Sequence, residues 1–103
     1  MTVTGADVAR FMGREGDPSM VALASESVVI VTAIVRAYVR GVGFDNGEPD
    51  DALAAVITTA TARVVTNPGQ LPMDVGSVSV RGGFNGFTAG ELAVLHEYRA
   101  RAA

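Results

Sequence analysis

Residues 17–40 constrain the fold more than any other stretch of this sequence. Asp17-Pro18 is a strong helix start: aspartate accepts hydrogen bonds from the free N–H groups of a first turn, and proline suits the first helical position. Met20, Ala24, Val28, Val31, Ile34, Val35 and Tyr38 then recur at helical spacing and form one apolar stripe. The pattern predicts a helix running to about Arg40, where Gly41 stops it. Val29 lies almost opposite the stripe. It reads either as a single exposed valine or, with Ala22, Ser25 and Ala33 around it, as a shallow second contact face.

Helices are expected on both sides of this one. Thr4-Gly5-Ala6-Asp7 is a variant of the capping box, and Val8, Phe11 and Met12 fall on one side of the short helix it opens, with Gly13 ending it. Residues 41–48 form a loop whose Asp45-Asn46-Gly47 favours a turn, because Asn and Gly tolerate positive φ. Pro49-Asp50-Asp51 starts the next helix with two carboxylates near its positive end. Leu53, Val56, Ile57, Ala60 and Val64 are its buried stripe, and Asn67-Pro68-Gly69 breaks it.

The C-terminal quarter changes period. After a linker at 70–74, residues 75–81 alternate, with Val78 and Val80 between Ser77, Ser79 and Arg81, which predicts a strand with one buried face. Asn85-Gly86 between Phe84 and Phe87 resembles a tight hairpin turn, but its second arm has almost no length. Such a strand needs a partner, from this subunit or another. Thr88 and Glu91 make a capping box for a last helix, on which Leu92, Val94, Leu95 and Tyr98 spread over an arc wide enough for contact on more than one side. Glu97 and Arg101 are spaced to pair. The expected fold is mainly α. It is one domain over residues 1–103, a small bundle of a short helix, two longer antiparallel helices and a C-terminal helix, with a short β-strand or hairpin before the last helix.

Composition narrows the function. The net charge of −3 over 103 residues argues against general binding to nucleic-acid phosphates. All eight cations are arginine, which favours planar, bidentate ion pairs. With no cysteine, disulfides, thiolate catalysis and cysteine-based zinc sites are excluded. No signal peptide is read at the N-terminus. The apolar stretch at 20–35 contains Ser25, Glu26 and Ser27 and reads as a buried helix, so no membrane partner is expected.

No constellation for catalysis or for a cofactor emerges. His96 is the only histidine and has no nucleophile or orienting partner in the pattern. Asp50 and Asp51 are adjacent on a helix and point about 100° apart, so they cap the helix instead of converging on one atom. Residues 45–48 lack the ligand ladder of a calcium loop, and the glycine pairs lack the spacing and lysine of a phosphate loop. Arg36 and Arg40 sit at the negative end of their helix; they serve the macrodipole, reach across a subunit boundary to Asp45, Glu48, Asp50 or Asp51, or do both. Arg99 and Arg101 suit either an acidic partner surface or a solvated tail.

The chain resembles the small head-to-tail connector (adaptor) proteins of long-tailed bacteriophages, especially those of actinobacteria. The resemblance runs through the short first helix, the helix opened by Asp17-Pro18, the helix ending in Ala62-Arg63-Val64-Val65-Thr66-Asn67-Pro68, the strand from Val75 to Val80 and the segment from Phe87 to Arg99. It implies a non-enzymatic virion protein of the neck, made in the host cytoplasm. Usually twelve copies form a ring beneath the portal protein, extend the DNA channel and offer a platform to stopper or tail-completion proteins. DNA would pass through without specific binding. By this analogy Leu95, Tyr98 and Arg99 face the portal or a neighbouring subunit, and the loop at 41–48 faces the channel or the distal side.

The residues themselves are compatible with that role. A lumen of carboxylates does not grip phosphates, and a cyclic ring needs two different contact surfaces on each subunit. Candidate interface residues are Val29, Arg36, Arg40, Asp50, Asp51, Val94, Leu95, Tyr98, Arg99 and Arg101. The alternative is a small helical DNA-binding regulator. That reading needs a basic recognition helix, whereas the helix after Pro49 bears only Arg63, and Arg99 and Arg101 are offset by Glu91 and Glu97. An enzyme or ligand-binding domain fits least well, because no convergent polar set is present.

Overall fold

In the computed structural model, residues 2–66 and 87–101 are described. They form α1 (Gly5–Phe11), α2 (Pro18–Tyr38), β1 (Phe44–Asp45), β2 (Glu48–Pro49), α3 (Asp51–Thr66) and α4 (Ala89–Arg101), a small mainly α bundle. The expected break at 67–69, linker at 70–74, strand at 75–81 and turn at Asn85-Gly86 lie outside the described residues.

Local chemistry sets the helix starts. Thr4 accepts a hydrogen bond from the Asp7 N–H at 3.1 Å, and the Asp7 carboxylate accepts one from the Thr4 N–H at 2.9 Å, a reciprocal box at the head of α1. Asp17 Oδ1 accepts from the Ser19 and Met20 N–H groups at 3.0 and 3.3 Å, with Pro18 in the first turn. Asp50 Oδ1 accepts from the Leu53 N–H at 3.0 Å and caps α3.

The end of α2 differs from the expectation of a glycine stop. The helix finishes at Tyr38, and Arg40, not Gly41, takes the first left-handed position, with φ of 57°. Arg40 N–H donates to the Ala37 carbonyl and Gly41 N–H to the Arg36 carbonyl, at 3.2 and 3.0 Å, a Schellman closure. A non-glycine residue there costs about 1 kcal/mol. The following loop holds the minimal hairpin β1–β2, in which Phe44 faces Pro49 and Asp45 faces Glu48. Asn46 and Gly47, at φ of 55° and 80°, supply the two positive-φ residues of its turn. Among the described residues the β structure therefore lies between α2 and α3.

Apolar stripes decide the packing. Val8 of α1, Val31 and Val35 of α2, Leu53 and Ile57 of α3 and Leu95 of α4 are fully buried in one cluster. α1, α2 and α3 pack against one another, and α4 lies on α3 and α2. α1 crosses α2 so closely at Gly5 that a methyl group there would meet the Ser25 Cα at 2.6 Å. This approach also separates the three residues expected on one side of α1: Val8 is buried and Met12 packs against the core, but Phe11 is not inward. Gly5, Val8 and Ala9 form the inner side of α1, and Phe11, about a third of a turn away, is 61% exposed.

Candidate assembly surfaces

α4 is fastened by a small polar network at its first turn. Thr88 and Glu91 cap each other, with Thr88 N–H donating to Glu91 Oε1 at 2.9 Å and Glu91 N–H donating to Thr88 Oγ1 at 3.2 Å. The same carboxylate accepts from Arg63 of α3, at 2.6 Å on Oε1 and 3.1 Å on Oε2, and from the Thr59 hydroxyl. Burial pushes the Glu91 carboxyl up, but hydrogen bonds from Arg63, Thr59 and the Thr88 backbone outweigh it and hold the group below its ordinary value. The sequence pattern marked Glu91 as a cap only. Its partner lies 28 residues away on another helix, and no local spacing signals that pairing.

A second fastening joins the far end of α4 to the start of α3. The Tyr98 hydroxyl donates to Asp50 Oδ2 at 2.6 Å, and this bond to a carboxylate, together with burial, raises the phenol pKa. Gly43, at φ of 88°, lets the loop pass directly beneath: a Cβ there would sit 2.6 Å from both Leu53 Cδ1 and Tyr98 Cε2. Arg101 lies 4.5 Å over the Tyr98 ring, and the ion pairs among the described residues do not include one between it and Glu97. Arg99 lies 4.8 Å over the Tyr38 ring, which also stacks on His96.

These contacts sort the candidate interface residues. Leu95 and Tyr98 are buried in the chain's own core, and Val94 and Leu92 pack partly buried against it, so most of the wide apolar arc of α4 is covered within the subunit. Asp50 is taken up by capping and by Tyr98. Arg36 lies 5.9 Å from the Phe44 ring, and no ion pair joins Arg36 or Arg40 to Asp45, Asp50 or Asp51 among the described residues. Val29, Arg36, Arg40, Asp51, Arg99 and Arg101 remain exposed.

Two apolar surfaces are left uncovered among the described residues. One is the outer side of α2, where Val29 is 67% exposed. Val29, Ala33, Ala37, Arg36 and Arg40 border a shallow groove there. α2 is long and apolar enough to cross a membrane by length and composition, a test that core helices also pass, and its inner side is covered by α1 and α3. The second surface is a cleft between α1 and α3, lined by Val3, Phe11, Ala54, Ala55, Thr58 and Asp51 among others, with no residue from α2. The sequence pattern put Phe11 on one side of α1 with Val8 and Met12 and did not signal this cleft. Among the described residues no group of three or more histidine, aspartate or glutamate side chains could hold a metal ion.

Compared with protein-family models, curated proteins and solved structures, the chain matches none.

Proposed function

We propose that the chain is a non-enzymatic assembly subunit, a connector-ring protein of the neck of a long-tailed bacteriophage that docks beneath the portal and extends the DNA channel. One observation carries the reading: a small bundle that covers its own α4 still leaves two apolar surfaces open among the described residues, on different elements, α2 and the α1–α3 cleft. A subunit in a closed ring requires two such unlike surfaces. The order of sequence elements that resembles the connector family supports the same assignment. On this reading the acidic hairpin tip, Asp45 and Glu48, would suit a channel through which DNA slides. The portal-facing role implied for the C-terminus falls to Arg99 and Arg101 and not to the buried Leu95 and Tyr98.

The test is electron microscopy of the purified protein mixed with the portal of the same phage. An added ring layer beneath the portal is expected. A bare portal at saturating protein, with the added chain running as a separate monomer, overturns the proposal.

A further inference from the structure

We infer that copies of this chain associate head to tail, the outer stripe of α2 on one copy seating in the α1–α3 cleft of the next. The inference deepens the ring reading and rests on it only for closure of the chain of contacts into a ring. Val29 and Ala33 project from α2 about opposite its buried residues Ala24, Val28, Val31 and Val35, so the stripe, one wall of the shallow groove beside the loop at 41–47, is left exposed by the other described helices. The cleft is the matching concavity, with an apolar lining from Val3, Phe11, Ala54 and Ala55. Rows of side chains on one helix packing between those of its neighbours are the ordinary geometry of helix packing.

Charge picks a second copy of the chain as the occupant. The α2 stripe ends in Arg36 and Arg40, whose guanidinium groups have no carboxylate partner among the described residues. The cleft carries Asp51 on its rim, likewise without an ion-pair partner among those residues, while Asp7 and Arg10 beside it neutralise each other at 3.2 Å. Arg40 adds an independent sign. It holds a left-handed backbone position that glycine fills with less strain, so an arginine side chain stands there against local preference. Because stripe and cleft belong to different elements, the contact is heterologous. Each copy offers one half to either neighbour, and the association propagates instead of stopping at a pair.

The absence of native cysteine makes the test clean. Val29→Cys and Ala55→Cys are both at exposed positions, and circular dichroism on each variant checks folding. A short bis-maleimide added to a mixture of the two variants should give the mixed Val29–Ala55 dimer as the main product. The double variant should give a ladder of higher oligomers. Arg36→Glu should reduce the mixed product several-fold, and pairing it with Asp51→Arg on the other copy should restore it. Dimers of Val29→Cys with itself as the main product would show a symmetric contact and overturn the inference. Purely monomeric product at high protein concentration also overturns it and leaves the cleft to another occupant. Portal decoration without any cross-link would reject this contact while leaving the ring reading intact, and a ladder without portal binding would do the reverse.

Discussion

The α1–α2–α3 unit and the attachment of α4 are held by different physics. The first is close apolar packing: Val8, Val31, Val35 and Ile57 are fully buried, and α1 meets α2 at a glycine. The second adds to Leu95 and Phe87 two polar fastenings, Glu91 to Arg63 and Tyr98 to Asp50. Apolar packing responds to volume and is indifferent to pH. A carboxylate joint responds to protonation and can open by itself. The expected consequence is that α1–α3 fail as a whole, whereas α4 is released locally when its carboxylate joint is broken.

The largest effect should come from the first part. Ile57→Ala removes a fully buried side chain from α3 and is expected to cost about 2–5 kcal/mol, read by urea unfolding. Amide protection should fall together in α1, α2 and α3. A loss confined to α3 would break the idea that the three helices act as one unit.

A smaller, local effect is expected from Glu91→Gln. It removes the charge that meets Arg63 and weakens the joint by about 1–3 kcal/mol. Protection should drop in α4 and persist in α1–α3. The same joint fixes a pH response. The Glu91 carboxyl titrates below its ordinary value of 4.5, so its contribution is fully present above that value and is lost as pH falls through the lower folded one. Asp7 and Asp17 are also held low by their caps on α1 and α2, so the readout must be local to α4. Acid release of α4 in the native chain but not additionally in Glu91→Gln is the expected pattern; identical acid profiles would remove the carboxylate from the account.

The smallest change sharpens the comparison from the other side. Thr61 is fully buried in α3 and its hydroxyl has no hydrogen-bond partner among the described residues, whereas Thr58 and Thr66 donate back to carbonyls of their own helix. Thr61→Val keeps the shape and removes the unpaired polar atom, so a gain of about 1 kcal/mol in thermal or urea unfolding is expected. A loss instead would mean that the apolar unit depends on that hydroxyl.

Much of the architecture is legible in the residues themselves. Asp17-Pro18, Thr4 with Asp7, and Thr88 with Glu91 announce helix starts because capping is settled within three or four residues. The turn at Asp45-Asn46-Gly47 was legible for the same reason, although its closure into a hairpin was not. The fate of α4 was not legible either. Leu92, Val94, Leu95 and Tyr98 cover too wide an arc to say which neighbour buries them, and the answer came from Gly43, Asp50 and Arg63 on other elements.

Helix starts, apolar periods and the lack of cysteine chemistry can be read from the chain alone, since each depends on residues close together in the chain or on composition. That Leu95 and Tyr98 turn inward, that Phe11 turns outward and that Glu91 finds Arg63 emerges in three dimensions. Those outcomes depend on how closely whole helices approach one another, a matter of packing volume and long-range geometry that no short window of residues encodes.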